Sequence, residues 1–330
     1  MLPVVVFVIL GALVFDFLNG MNDAANSIAT VVTTRVLSLR MAVLWAAFFN
    51  FVAAFGFGVS VATTIGKGIV DTKVVNHELI LCALTGAVLW THVCTHYGLP
   101  ISVSHSLIGG LAGAAVSKAG FTALVSSGLI KVSIFIVLSP LIGMTLAFFL
   151  MILVMWIFRE KTPWKVDKIF RVGQLISSAA FSLGHGTNDA QKTMGIIAVL
   201  LYTGGYLGPE FYVPFWVVIL AHLTIAVGTM YGGWKVVKTM GMQLTHLRPV
   251  DGFCAETAGA FVLIGTALAG IPVSTTHTVA GAIMGVGATK RLSAVRWGVA
   301  GRIVMAWILT IPLSAAVSAI TYWILSPLFH

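Results

Sequence analysis

The sequence predicts an all-α polytopic membrane protein of two inverted repeats, each with a discontinuous helix, further spans and a re-entrant helical hairpin. Three observations predict it: the composition, two motifs that each occur twice, and the placement of basic residues. The chain has 330 residues, of which 58% are hydrophobic and only 9% charged. A soluble domain carries about 25% charged residues. Apolar stretches recur along the whole length, and about 20 such residues suffice to span a bilayer as a helix. The stretches are continuous rather than alternating, which argues against a β-barrel.

The formal charge is +9, from 19 Lys and Arg against 10 Asp and Glu. No basic stretch interleaved with aromatics occurs, so nucleic acid is not an expected partner. In a membrane chain, basic residues gather in cytoplasmic loops. The three cysteines, Cys82, Cys94 and Cys254, lie in apolar segments without CxxC spacing, and read as small buried hydrophobes.

Two motifs organise the chain. Gly20-Met21-Asn22-Asp23-Ala24-Ala25-Asn26 matches Gly186-Thr187-Asn188-Asp189-Ala190-Gln191-Lys192, 166 residues later. Gly98-Leu99-Pro100-Ile101-Ser102-Val103-Ser104-His105-Ser106 matches Gly270-Ile271-Pro272-Val273-Ser274-Thr275-Thr276-His277-Thr278, 172 residues later. The order is the same both times, which marks a duplication. Residues 1–158 form the first repeat, 159–171 (REKTPWKVDKIFR) a cytoplasmic join, and 172–330 the second repeat.

Taken in order, the first apolar run has no basic n-region of a signal peptide and meets its first basic residues at Arg35 and Arg40. That places the N-terminus outside and the first loop inside. A span over 41–66 leads outward. The join, with Arg159, Lys161, Lys165, Lys168 and Arg171, must lie inside. Only one net crossing remains for 67–158, and 128–158 supplies it. Residues 78–118 therefore enter and leave on one side, turning at the helix-breaking Gly98-Leu99-Pro100. Spans at 173–203, 212–231 and 295–325, with a hairpin over 250–290, repeat the plan in the second half. Three crossings per half is odd, so the halves are inverted and both termini lie outside.

Asp23 and Asp189 are the first functional candidates. A carboxylate in hydrocarbon costs about 2.5–3.5 kcal/mol even on the mild insertion scale. Asn22, Asn26, Asn188 and Gln191 add amide oxygens. Such a cluster, on a helix interrupted at glycine, suits Na⁺ or a relayed proton, so Na⁺ is a candidate metal at Asp23 and Asp189. Glu256 and Glu78, early in the entry arms of the hairpins, read either as coupling-ion ligands or as interfacial carboxylates. Lys192 either pairs with Asp189 or touches an anion. Asp16 is a further buried acid, one helical face from Asp23.

The hairpin tips carry hydroxyls: Ser102, Ser104 and Ser106 on one, Ser274, Thr275, Thr276 and Thr278 on the other. Ser102 and Ser274 follow Gly-x-Pro closely, as helix N-caps do. Each returning arm then presents free N–H groups and the positive end of its dipole. Two such ends meeting near the midplane would cradle a tetrahedral oxyanion. His105 and His277 stand at matching places. They lack HExxH or HxxEH spacing, so an orienting or proton-linked role is expected rather than metal catalysis. His92, His96, His185 and His222 read as interhelical hydrogen-bond partners. Gly109, Gly110 and Gly113, with Gly281 and Gly285, permit close helix packing. No GxxxxGK[ST] loop occurs, which argues against an ATP-driven pump.

FDFLNGMNDAANSIAT and GHGTNDAQKTMG, with GLPISVSHSLIGG and GIPVSTTHTVAGA, resemble the inorganic phosphate transporter (PiT) family across essentially the whole chain. The resemblance implies an ion-coupled phosphate symporter with inverted repeats, working as a homodimer in membrane lipid. The short join is similar to that of prokaryotic members, which implies a bacterial or archaeal cytoplasmic membrane. It implies that Asn22, Asp23, Asn188 and Asp189 belong to the ion and phosphate centre, and that Ser102, Ser104, Ser274, Thr275 and Thr276 line the phosphate pocket. Two departures are Asn22, where the family usually has His, and Val103, where it usually has Ser. The expected function is Na⁺- or H⁺-coupled symport of inorganic phosphate by alternating access, with no cofactor beyond the coupling ion and no enzymatic activity. The alternatives are a sulfate permease of the same superfamily, an intramembrane metalloenzyme and a non-transporting sensor.

Overall fold

The computed structural model describes residues 2–328, and among them the order of elements occurs twice. A long helix α1 (Leu2–Thr33) leads into α2 (Leu39–Val52) and α3 (Ser60–Gly68). The hairpin arms α4 (His77–Tyr97) and α5 (Val103–Ala119) follow, then the long α6 (Ser126–Ile157). The second set is α7 (Pro163–Thr203), α8 (Phe215–Tyr231), α9 (Trp234–Lys238), α10 (Pro249–Leu268), α11 (Thr275–Lys290) and α12 (Trp297–Leu325). A π-helical turn, Thr239–Gln243, extends α9. The expected join is shorter as a linker, because its second part forms the first turns of α7, with Pro163 at the helix start, where its missing N–H costs nothing.

The discontinuous helices are not those carrying the acid motifs. Both α1 and α7 run unbroken through Gly20 and Gly186. Instead the pair Leu39–Phe55 and Ser60–Gly68 bends by 83°, and Phe215–Tyr231 and Trp234–Gln243 by 68°. The breaks fall at Gly56-Phe57-Gly58 and Gly232-Gly233. The motif glycines serve close approach: a Cβ on Gly20 would collide with the backbone of Ile225 on α8, and one on Gly186 with that of Asn50 on α2.

Each hairpin turns as its sequence demands. Gly98 (φ 70°) and Gly270 (φ 65°) adopt the left-handed conformation after the entry arms, where a side chain would be strained. Ser102 and Ser274 then cap α5 and α11. Their Oγ atoms accept from the N–H groups of His105 and His277, both at 3.2 Å.

The halves interlock. Helix α12 lies along α5, and α6 along α11. Gly109 and Gly113 meet the backbone of Ile311 and Ala315, while Gly281 and Gly285 meet that of Pro140 and Met144. One end of the molecule collects basic groups. Arg171 Nη1 donates to Arg35 O (3.0 Å), and Lys290 Nζ reaches Asp251 (2.6 Å) beside Arg248 at the start of α10. Lys118 donates to Val74 O (3.0 Å), and Lys67 lies over the rings of Tyr202 and Phe211, in loops and helix ends that the charge count places on the other face.

Candidate functional site

The two hairpin tips meet. The rings of His105 and His277 are 4.7 Å apart, edge to face. Trp307 of α12 stacks on His277 at 3.7 Å and donates from Nε1 to Pro100 O (3.0 Å). The acid motifs of α1 and α7 pass beside this contact. Asp23, Asp189, Asn22, Asn26, Asn188, Lys192, Thr275 and Thr276 are all buried, none more than 2% exposed.

The carboxylates converge on the second tip. Thr275 Oγ1 lies 3.0 Å from Asp23 Oδ2 and 3.1 Å from Asp189 Oδ2, and Thr276 Oγ1 lies 3.3 Å from Asp23 Oδ1. One hydroxyl hydrogen cannot serve two carboxylates at once. Asn26 Nδ2 donates to Thr276 (2.9 Å) and Thr275 (3.3 Å). Lys192 Nζ bonds Asp189 Oδ1, Ser104 Oγ (2.5 Å) and Val273 O (2.9 Å). A single ammonium thereby joins α7 to both tips.

His185 completes the cluster; the sequence marks it as an interhelical hydrogen-bond partner, as its bond to Asn50 of α2 is, but gives no sign that its other nitrogen faces the acids. Its Nε2 lies 3.3 Å from Asp189 Oδ2 and 4.0 Å from Asp23 Oδ2. A relay fixes its tautomer. Thr229 must donate to Ile225 O (2.8 Å), so it accepts from Asn50 Nδ2 (3.0 Å). Asn50 Oδ1 therefore faces His185 Nδ1 (3.0 Å), which must carry a hydrogen. In the neutral ring, Nε2 is then a lone pair aimed at two carboxylates. Asp23, His185 and Asp189 offer ligand atoms within 4.8 Å of one another. Acceptors this close are satisfied when a cation, metal ion or proton, sits among them.

Several expectations are redirected. Thr275, Thr276 and Ser104 face acids and ammonium, and Ser102 and Ser274 act as caps, so the tip hydroxyls are already engaged by protein partners. Asn188 has neither side-chain amide atom bonded; the residue matching Thr95, to which Asn22 donates at 2.7 Å, is Ala267. Gln191 leaves the cluster: its Oε1 accepts from the N–H groups of Val61 (2.8 Å) and Ala62 (3.2 Å) at the start of α3. Those donors are free because α2 and α3 are broken apart. Asp16 accepts from Thr193 (2.8 Å), and its Oδ2 has no partner. Glu78 lies in the first turn of α4, bonded to Asn76 (2.9 Å), and does not reach the site. Glu256 is fully buried rather than interfacial. It accepts from Thr30 (2.5 Å), Gln174 (3.0 Å) and Ser177 (2.5 Å). The place matching Glu256 in the first hairpin holds Leu84, so this polar nest is one-sided.

Comparison with known proteins agrees with this architecture. The profile of the phosphate transporter family matches residues 19–318. The chain is 57% identical to a protein of Rhizobium meliloti (strain 1021) described as a probable low-affinity inorganic phosphate transporter, over 97% of this chain and 96% of that one. It is 42% identical to a protein of the same description from Bacillus subtilis (strain 168), over 100% and 99%. A solved structure, "The sodium-dependent phosphate transporter", superposes with a TM-score of 0.90 at 27% identity, covering 98% of this chain and 99% of that one.

Proposed function

This chain belongs to the phosphate transporter family, and from that membership we propose that it is a cation-coupled symporter of inorganic phosphate working by alternating access. It is a multi-pass membrane transporter of phosphate and not an enzyme. The observation that carries the coupling is the cluster of Asp23, Asp189, His185 Nε2 and Thr275 Oγ1, acceptors that converge without enough donors to satisfy them. A neighbouring structure named for sodium dependence supports Na⁺ as the cation.

In this reading, Asn22, Asp23, Asn26, Asn188 and Asp189 serve the coupling ion, with Glu256, held by Thr30, Gln174 and Ser177, as a separate buried carboxylate for a coupling ion. Phosphate enters between the tips, where α5 and α11 begin and the N–H groups of their first residues have no partner within the helix. Ser102, Ser104, Ser274, Thr275 and Thr276 surround it once the tips part. The hairpins enter from opposite faces, which the meeting of their tips supports, and the two repeats are inverted about the centre. The basic end of Arg35, Arg171, Arg248 and Lys290 is then cytoplasmic, both termini lie outside, and the membrane is a prokaryotic cytoplasmic membrane. Family membership further implies a homodimer.

Uptake of radiolabelled phosphate into proteoliposomes tests the reading. Accumulation is expected under an inward Na⁺ or H⁺ gradient and should collapse with the matching ionophore. Uptake that is indifferent to both gradients would overturn it, and sulfate competing as well as phosphate would redirect the substrate.

A further inference from the structure

We propose that Lys192 is a tethered cation standing where a coupling ion would otherwise bind, so that Asp189 needs no external cation of its own. This rests on the symport reading above and concerns how many ions that centre takes.

The ammonium has the surroundings of a bound hard cation. Its partners are all oxygens: a carboxylate (Asp189), a hydroxyl (Ser104) and a backbone carbonyl (Val273). Hydroxyl, carboxylate and carbonyl oxygens of this kind, around a broken hairpin, are what Na⁺ takes in a membrane protein. Lys192 is buried over its whole length, and a buried ammonium persists only where its charge is balanced and its donors are satisfied. Here three partners satisfy them.

The duplication supplies an internal control. The residue matching Lys192 is Asn26, three residues after Asp23 as Lys192 is three after Asp189. Both side chains reach across to the opposite half: Asn26 to Thr276 of the second hairpin, Lys192 to Ser104 of the first. Thr276 and Ser104 also match each other. The two halves thus make the same crossing contact, one with a neutral amide and one with a positive charge. The first-half carboxylate, Asp23, receives hydroxyl donors and faces His185 Nε2, but it has no tethered ammonium. An external cation therefore belongs beside Asp23, and the second-half position is filled from within the chain.

Counting bound Na⁺ on the purified full-length protein tests this. Lys192→Asn reproduces the residue found in the first half, and Lys192→Ala simply vacates the position. Equilibrium binding of ²²Na⁺ is expected to rise by one ion per chain in both variants relative to the parent. Adding Asp189→Asn to Lys192→Asn should abolish that gain, taking the count to the parental value or below it, because Asp189 Oδ2 also lines the position beside Asp23. Na⁺, but not choline, should raise the melting temperature of the Lys192 variants more than that of the parent. Equal Na⁺ counts in parent and variants would overturn the inference. So would failure of both variants to melt cooperatively at any Na⁺ concentration, since a vacated cation position must accept the ion. Gradient-driven phosphate uptake by the parent reports separately on the symport reading and can fail while the Na⁺ count succeeds.

Discussion

His105 and His277 touch edge to face, 4.7 Å between ring centroids, each one residue beyond the hydroxyl that matches the other half. The contact is the point at which the two hairpins meet. Aromatic pairs of this geometry contribute about 0.5–1.5 kcal/mol beyond their burial. A double-mutant cycle with His105→Ala and His277→Ala should return a coupling in that range, read from melting in detergent. His277→Ala alone should be the costlier single change, because it also loses the stack on Trp307. Additivity of the two changes would show that the tips do not depend on one another.

The two acids should respond differently to the same substitution. Asp189→Asn strips Lys192 of its buried counter-ion, and breaking such a pair costs about 3–5 kcal/mol. Asp23→Asn leaves no buried charge stranded. The expected outcome is a marked loss of thermal stability for Asp189→Asn and near-parental stability for Asp23→Asn, with gradient-driven phosphate uptake lost in both. Full uptake by both variants would remove the ion role assigned to them.

Asn50 should matter although it touches neither acid. It holds His185 in the tautomer that points Nε2 at the carboxylates. Partners that orient a ligating ring typically set affinity by about 10–100-fold. Asn50→Ala is therefore expected to raise the cation concentration for half-maximal uptake by that order while maximal uptake is largely kept. The measurement is the cation dependence of initial rates.

The glycine seams predict a matched pair of failures. Gly113→Val drives a side chain into the backbone of Ala315, and Gly285→Val into that of Met144. Overpacking typically costs about 1–3 kcal/mol, occasionally more, and backbone cannot yield as a side-chain end can. Both variants should melt at lower temperature by similar amounts, whereas Gly301→Ala, which faces open space, should match the parent.

Much of this was legible in the residues because duplication repeats its own evidence. Two Gly-x-Asn-Asp-Ala motifs and two Gly-x-Pro turns gave the acids, the caps and the tips, and all of them reappear at one centre. Three features were misread for physical reasons. Glycine inside an apolar helix allows either a break or a close approach, and hydropathy does not distinguish them; Gly20 and Gly186 chose the second. The true breaks at Gly56-Phe57-Gly58 and Gly232-Gly233 hide within continuous apolar runs, and only the paired glycines mark them. His185 reads as an interhelical hydrogen-bond partner, which its bond to Asn50 matches, but its place four residues before Asp189, on the same helical face, also carries it into the acid cluster. Gln191 shows the reverse case: adjacent in sequence to the motif, its side chain turns to α3 instead.

The crossing of the long helices over to the opposite hairpins has a biosynthetic consequence. When the first repeat has left the ribosome, the glycine-lined side of α5 still lacks the helix it is shaped for, and α6 lacks α11. The α6 seam can close once α11 is made, but the α5 seam must wait for α12, the last helix in the order of elements. A chain truncated before Trp297 would leave Gly109 and Gly113 without the backbone of Ile311 and Ala315 that they are shaped to meet, so the first half is not fully packed until the last helix arrives.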